Sequence, residues 1–140
     1  MSDDEQDDGP ALHEMSALEI GALIRRGALS SVEATRYFLD RIERLNDRYG
    51  AFLLVTAETA LDGAREADRA LAKGAEPGPL HGVPYAAKDV FDVAGLPTTA
   101  GCDLLAGYLK TTSAKVIRTL DSRRAHALAC DDTSLALEFR

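Results

Sequence analysis

The sequence predicts an α/β fold in which helices from the first half of the chain pack on a partial sheet. Two helix-start patterns lie near the beginning, and each is followed by an amphipathic segment. A strand-like segment, residues 83–90, follows a stretch rich in proline and glycine. The length of 140 residues suits one domain with a real core, because domains most often have about 100–150 residues.

Three helices are predicted in the first half. The Ser-x-x-Glu patterns that begin at Ser16 and Ser30 are capping boxes, in which serine and glutamate satisfy each other's backbone N–H groups. A short helix should follow the first box and end at Gly27, and a longer one should follow the second. Thr56 can cap a third helix, whose alanine-rich stripe allows close approach to a neighbour. The apolar stripe of the second helix consists of Ala34, Phe38, Ile42 and Leu45.

The remaining elements are shorter. Residues 52–55 are four consecutive apolar residues, which suits a short buried strand or an extended connector. Residues 76–82 break regular structure, residues 83–90 form the predicted strand, and residues 91–101 are loop-like. A last helix is predicted over residues 113–123, with its inner face formed by Val116, Ile117 and Leu120.

The charge is concentrated at the N-terminus. The chain carries 23 acidic and 16 basic residues, a net charge of −7, and five of the acids lie between Ser2 and Asp8. We predict that residues 1–11 form a disordered acidic arm, which serves solubility or is an interaction tail, and that residues 12–140 form the domain. The body has no basic patch, which argues against direct binding of nucleic acid.

The sequence argues against several classes of protein. No apolar run approaches the ~18 residues that a membrane span needs, and no secretory signal opens the chain. Cys102 and Cys130 are too far apart for a CxxC pair, so neither a disulfide framework nor a zinc site is indicated. We therefore expect no membrane association, no metal and a cytoplasmic location.

Lys88 is the residue most indicative of chemistry. It ends a run of small or apolar residues that reads as a strand, and a buried ammonium is costly unless it is paired. A desolvated lysine can act as a general base. Asp89 should point to the opposite face of the sheet and is a poor partner for it. The alternative is that Lys88 lies at a strand end and extends its amine to water.

Other candidates are weaker. His81 could line a substrate entrance, although a solvated loop histidine is the simpler interpretation. Thr98 and Thr99 could orient a substrate amide or cap the loop. Cys102 is interpreted as a small buried thiol, because no histidine lies at a defined spacing to activate it.

The segment from residue 77 to residue 101 resembles the amidase signature family. It contains Gly-Val-Pro at residues 82–84, Lys-Asp at 88–89 and Gly-Leu-Pro-Thr-Thr-Ala-Gly at 95–101, and the resemblance extends over residues 12–117. It implies a large mixed sheet and the hydrolysis or transfer of carboxamides through a Ser–cis-Ser–Lys triad. In this chain the family's lysine is Lys88. The resemblance implies no metal or organic cofactor.

The sequence also departs from the family. The Gly/Ser-rich segment that carries the two serines is missing, and the family's small apolar strand and turn look eroded from Ala125 onward. Asp131 stands at a lysine-like position, and Glu138-Phe139 echoes the family pattern. We expect a truncated, N-terminal portion of an amidase that is inactive alone, with an open strand edge and an uncovered apolar face that invite a protein partner or self-association.

The sequence leaves three functions open. The first is an amidase acting on a small carboxamide. The second is a non-catalytic binding or subunit-like protein built on the amidase N-terminal layer. The third is the glutaminase subunit of a tRNA-dependent amidotransferase. Residues 90–95 look more like the general amidases than like that subunit.

Overall fold

The computed structural model describes residues 10–131, with side chains described as far as Ala125. Most of the acidic arm and the Glu138-Phe139 pair therefore lie outside the described residues. The described chain forms seven elements: α1 (Ala17–Arg25), α2 (Ser31–Tyr49), β1 (Phe52–Val55), α3 (Ala57–Ala72), β2 (Pro84–Lys88), α4 (Lys115–Ser122) and β3 (His126–Asp131). Short 3₁₀ turns lie at Leu12–Glu14 and Asp103–Leu105.

The sheet is mixed, and the α/β prediction is confirmed. Its strand order is β1-β3-β2, with β3 antiparallel to β1 and parallel to β2. Helix α3 packs against β3, and α2 packs against both α3 and β2. The central strand, β3, is the one that the sequence analysis did not predict, because its residues look like an eroded version of the family pattern. In the described part of the chain, β2 forms one edge of the sheet.

Both predicted capping boxes are present. The backbone N–H of Glu19 donates to the Ser16 hydroxyl, and that of Glu33 donates to the Ser30 hydroxyl at 3.1 Å. Each glutamate carboxylate accepts from its serine's backbone N–H in return. Thr56 also occupies the residue before a helix, α3, but its side chain makes no capping hydrogen bond. That part of the prediction is wrong, because the backbone of Thr56 has φ −105° and ψ 56° instead of the extended conformation that capping needs.

The core lies between the helices and the sheet. One cluster contains Ile20, Ile24, Ala34 and Val83, and Phe38 packs both against it and against Ala60. The predicted alanine stripe of α3 is fully buried at Ala60, Ala64 and Ala67. Small side chains at these positions let α3 approach α2 and the sheet closely, as expected from the sequence.

The start of β2 is held by a buried polar contact with the first turn of α2. The Ser31 hydroxyl donates to the Gly82 carbonyl at 2.6 Å. The Asp68 carboxylate accepts from the backbone N–H groups of Ser31 and Val32, at 2.8 and 3.1 Å. Gly82 has φ +72°, and a side chain there would lie 2.9 Å from the Ser31 Cβ. Only glycine fits both this backbone conformation and this space. The contact fixes the start of β2 and thereby the position of Lys88 at the end of that strand.

Candidate active site

Lys88 is the last residue of β2 and lies beside Asp131 of the central strand. Burial alternates along this segment: Ala86 is exposed, Ala87 is buried, Lys88 is partly buried and Asp89 is buried. Lys88 therefore leaves the sheet on the face away from the buried side chains. This position fits a lysine that faces a cleft and equally a lysine at a strand end, so its catalytic role stays a prediction.

Asp89 holds the loop that follows β2. Its carboxylate accepts from the Thr99 backbone N–H at 2.8 Å and also from the Thr99 hydroxyl. Its carbonyl accepts from the Ala100 backbone N–H at 2.9 Å. The chain then turns sharply through Ala100 and Gly101, with φ of +48° and +78°. We call this set of contacts the Asp89–Thr99 clamp. It agrees with the expectation that Asp89 is not the direct partner of Lys88.

In the described structure, the Thr98 and Thr99 hydroxyls both make contacts within this loop. The Thr99 hydroxyl also accepts from the Gly101 backbone N–H at 3.3 Å. Thr98 is buried, and its hydroxyl lies 3.5 Å from the Phe91 carbonyl. These contacts support the loop-capping alternative for both residues. The alternative that they orient a substrate amide stays a prediction.

His81 is buried, with 2% of its surface exposed. Its Nε2 lies 2.9 Å from the Ala67 carbonyl, and since a carbonyl can only accept, Nε2 carries the proton. The interpretation of His81 as a solvated loop histidine is therefore wrong. The imidazole joins the turn before β2 to the buried face of α3, a contact between distant segments that no local pattern signals. A substrate-lining role for His81 stays a prediction.

Cys102 is exposed and not the buried thiol that the sequence suggested. It directly precedes the 3₁₀ turn Asp103–Leu105, which lies on the outside of the loop. The sequence of a loop does not indicate whether a small residue such as Cys102 faces the core or the solvent. Among the described residues, no group of three histidine, cysteine or acidic side chains is arranged to hold a metal ion.

The serines near α4 are engaged in hydrogen bonds with backbone groups. The Ser113 hydroxyl accepts from the Ala94 backbone N–H at 2.9 Å, and the Ser122 hydroxyl donates to the Thr119 carbonyl at 2.8 Å. Neither lies in a glycine-rich turn of the kind that exposes a nucleophile. Ser134 lies outside the described residues.

An open cleft of about 790 Å³ lies between α3, residues 93–96 and α4. Tyr85 and Asp121 both line it, and the Tyr85 hydroxyl donates to Asp121 at 2.9 Å. Glu66 and Arg124 add charged groups. Lys88 is not among the lining residues. The sequence analysis missed this cleft because its walls come from four separate segments.

Among the side chains that the structure describes, two carboxylates have a lowered pKa, and both belong to the capping boxes. The backbone N–H groups of Ser16 and Ser30 lower the pKa of Glu19 and of Glu33, respectively, below the ordinary value of 4.5. Each hydrogen bond favours the charged carboxylate. These shifts belong to the helix starts and not to the surroundings of Lys88.

This geometry can be compared with known proteins. The family model described as Amidase matches residues 33–130. Solved structures of similar fold include a bacterial aryl acylamidase of the amidase signature family, with a TM-score of 0.80 over 86% of this chain and 25% of that chain. At 24% sequence identity this likeness shows the fold alone. The peptide amidase from Stenotrophomonas maltophilia is 30% identical, with a TM-score of 0.76 over 84% of this chain and 24% of that chain.

The mixed sheet and its flanking helices thus define a fold of the amidase type. The chain belongs to the amidase signature family. Among curated relatives, one subunit of the glutamyl-tRNA(Gln) amidotransferase of Salinispora arenicola is 46% identical over 109 residues, and the corresponding protein of Thermobifida fusca is 45% identical. The match covers 78% of this chain and 22% of the Salinispora protein, so the chain spans about a fifth of that relative's length. In the described residues, no helix is both long and apolar enough to cross a membrane.

Proposed function

We propose that this chain contributes the lysine of an amidase active site, and that the substrate is a small carboxamide. The observation that carries the proposal is the position of Lys88, at the end of β2 and beside the central strand of an amidase-type sheet. The Phe91 backbone N–H donates to the Lys88 carbonyl at 2.9 Å, and the Asp89–Thr99 clamp follows at once. The backbone at Lys88 is therefore fixed by its pairing with β3 and by the turn that follows it, which suits a group that must aim at a reacting atom.

In the proposed mechanism Lys88 accepts a proton, through an intervening serine, from the hydroxyl of a nucleophilic serine. The serine then attacks the amide carbonyl, and backbone N–H groups bind the resulting oxyanion. The two serines and the oxyanion-binding N–H groups are not identified among the described residues, where the Ser113 and Ser122 hydroxyls are hydrogen-bonded to backbone groups. We propose that residues 12–140 are the N-terminal portion of such a domain and that it acts in the cytoplasm.

The test is amide hydrolysis by the purified chain and by Lys88→Ala. A general base typically contributes about 10²–10⁴-fold, but only when a nucleophile is present to activate. We expect no turnover of benzamide or propionamide by either protein. Turnover by the parent that is lost in Lys88→Ala would show that a serine of this chain completes the triad. Turnover that is equal in both would remove Lys88 from the mechanism.

A second candidate function rests on the curated relatives. The 46% identity to a component of a tRNA-dependent amidotransferase favours a subunit-like role, in which the chain works within a complex. The identities to the amidases of known structure are lower, at 30% and below for the two compared above. Size-exclusion chromatography with light scattering, on tagged chain purified from its source, distinguishes the two functions. Stoichiometric co-purification with other amidotransferase subunits would favour this second role, and a lone chain would disfavour it.

A non-catalytic binding role is the third possibility. It would keep the helical layer and the sheet but make no use of the Lys88 amine. Replacing Lys88 with alanine would then leave recovery of the partner unchanged. Unchanged recovery would indicate a binding protein that does not use the lysine. Reduced recovery would indicate a subunit whose assembly depends on it.

A further inference from the structure

A groove lies between the middle of α2 and the segment where β1 passes into α3. It has a volume of about 610 Å³, and its apolar lining includes Leu39, Ile42, Val55 and Leu61. Ile42 is buried, whereas Val55 is 39% exposed, so part of this apolar lining is open to solvent. We call this feature the α2–α3 groove.

The walls of the α2–α3 groove are held together by specific contacts. The Asn46 side chain, which also lines the groove, donates to the Phe52 carbonyl at 2.9 Å and accepts from the Phe52 backbone N–H at 2.8 Å. Leu39 packs against Ala60 of α3. Because α2 is joined in this way to both β1 and α3, the groove is preformed.

One wall of the α2–α3 groove is acidic. Asp40, Glu43 and Asp47 line it and are exposed. Their spacing of i, i+3, i+7 places them along one side of α2, over about 10 Å. Within the part of the chain that the structure describes, none of these three carboxylates makes an ion pair or a hydrogen bond. Arg36 also lines the groove, so the lining has a net charge of −2.

Helix α4 carries a surface of complementary charge. Lys115, Arg118 and the C-cap residue Arg123 are exposed. Val116 is 44% exposed beside them, whereas Ile117 is buried against the protein. The three bases have a spacing of i, i+3, i+8 and extend over about 12 Å. The outward side of α4 therefore presents three positive charges and an apolar side chain, at nearly the spacing of the three carboxylates.

The two surfaces lie on opposite sides of α3. Ala57 and Leu61 of α3 line the α2–α3 groove. Thr59 and Glu66 line the other cleft, whose opposite wall includes Asp121 of α4. Because α3 stands between them, α4 cannot reach the groove of its own molecule. A second copy of the chain can bring its α4 there.

We propose that α4 of one molecule docks in the α2–α3 groove of a second copy. The basic side of α4 lies against the acidic wall, and Val116 lies over the apolar lining. Each molecule offers both surfaces, so the contact is head-to-tail and builds a ring or a chain of molecules. Exposed ion pairs contribute little each, and the net charge of −7 opposes association, so the contact is weak and sensitive to salt. The inference goes beyond the proposed amidase function, because it uses neither Lys88 nor a substrate.

The test is the mass of the purified chain as a function of concentration, measured by analytical ultracentrifugation. At low salt we expect the weight-average mass to rise above the 15.0 kDa of one chain as the concentration increases from about 10 μM to about 1 mM. The rise should be largely lost in about 0.5 M salt, because screening weakens contacts between exposed charges. A chain that remains monomeric at the highest concentration would overturn the proposal.

Two variants test the two surfaces separately. The groove variant carries Asp40→Asn, Glu43→Gln and Asp47→Asn, and the helix variant carries Lys115→Gln, Arg118→Gln and Arg123→Gln. Each should self-associate about tenfold more weakly than the parent, since each loses three exposed ion pairs. An equimolar mixture should recover association as a pair of twice the chain's mass, because α4 of the groove variant still fits the groove of the helix variant. A mixture that associates no better than the separate variants would contradict the proposal.

A charge-matched control carries Glu66→Gln, Glu76→Gln and Asp103→Asn, three exposed acids outside the α2–α3 groove. It changes the net charge by the same amount as the groove variant, and it should associate at least as strongly as the parent. Weakened association in this control would show a dependence on net charge alone and would count against the groove. A parent that stays monomeric but binds a fluorescein-labelled amphipathic peptide of leucine and lysine would assign the groove to a cationic segment of another protein, which also contradicts the proposal.

Discussion

Asp89 and Lys88 are neighbours with separate environments. The Asp89 side chain is buried and satisfied by Thr99, whereas Lys88 leaves the sheet on the other face. The aspartate of the Lys-Asp pair thus organises the loop, and the lysine lies on the face where the proposed chemistry would take place. This division follows from the two-residue period of a strand.

At the same scale, we predict that Thr99→Val destabilises the protein by about 1.5–3 kcal/mol, the usual contribution of a hydrogen bond to a charged group. The substitution keeps the shape of the side chain but removes the hydroxyl that donates to Asp89. Urea unfolding followed by circular dichroism measures the loss. Thr99→Ser retains the hydroxyl and serves as the control. Equal losses in the two variants would mean that the methyl group, and not the hydroxyl, stabilises the loop.

Among the elements, α1 and α2 both begin at a capping box whose glutamate has a lowered pKa, and the start of α2 also donates to the Asp68 carboxylate. The Ser30 N–H lowers the pKa of Glu33, so folding stabilises the charged carboxylate. A group whose pKa is depressed by folding contributes stability above its unfolded value, and this contribution is lost as the pH falls through the folded value. Stability should therefore fall below about pH 4.5 in part through Glu33.

We predict that Glu33→Gln makes the unfolding free energy less sensitive to pH in the acid range than it is in the parent. Urea titrations at pH 7 and across the acid range test this. Ser30→Ala should cost about 1 kcal/mol at neutral pH by removing the cap. A parent and a glutamine variant with the same pH dependence would assign the acid sensitivity to other carboxylates.

The Gly82 carbonyl links β2 to α2 by accepting from the Ser31 hydroxyl. We predict that Gly82→Ala destabilises the fold by more than about 1 kcal/mol. A left-handed backbone costs a non-glycine residue roughly 1–2 kcal/mol, and the new Cβ would also lie 2.9 Å from the Ser31 Cβ. Gly74→Ala is the control, since Gly74 has φ +81° with nothing within 4 Å. Thermal unfolding of both variants separates the two effects. Equal losses would show that only the backbone conformation matters.

Most of the excess charge of the whole molecule lies in the N-terminal arm. Five acids between Ser2 and Asp8, with no apolar residue among them, cannot contribute to a packed core. We predict that the backbone amides of Ser2 to Asp8 exchange with solvent at unprotected rates. Hydrogen exchange followed by NMR or mass spectrometry tests this, with the amides of α2 as the protected reference. Slow exchange in the arm would show that it binds the domain.

The sequence by itself determined the local elements of this protein. Capping boxes at Ser16 and Ser30 and the apolar stripes behind them predicted α1 and α2, because these signals act within a few residues. The long motif around Lys88 indicated the family, and the alternation near Lys88 and Asp89 predicted their opposite faces.

The tertiary structure decided what depends on segments that are distant along the chain. It placed β3 at the centre of the sheet, although the residues of that strand look eroded by comparison with the family. It buried His81 against α3 and exposed Cys102 on the loop. It also joined Asp89 to Thr99, ten residues away. Each of these outcomes depends on contacts between segments that are separated along the chain. The sequence around a residue does not indicate which distant residue it will contact.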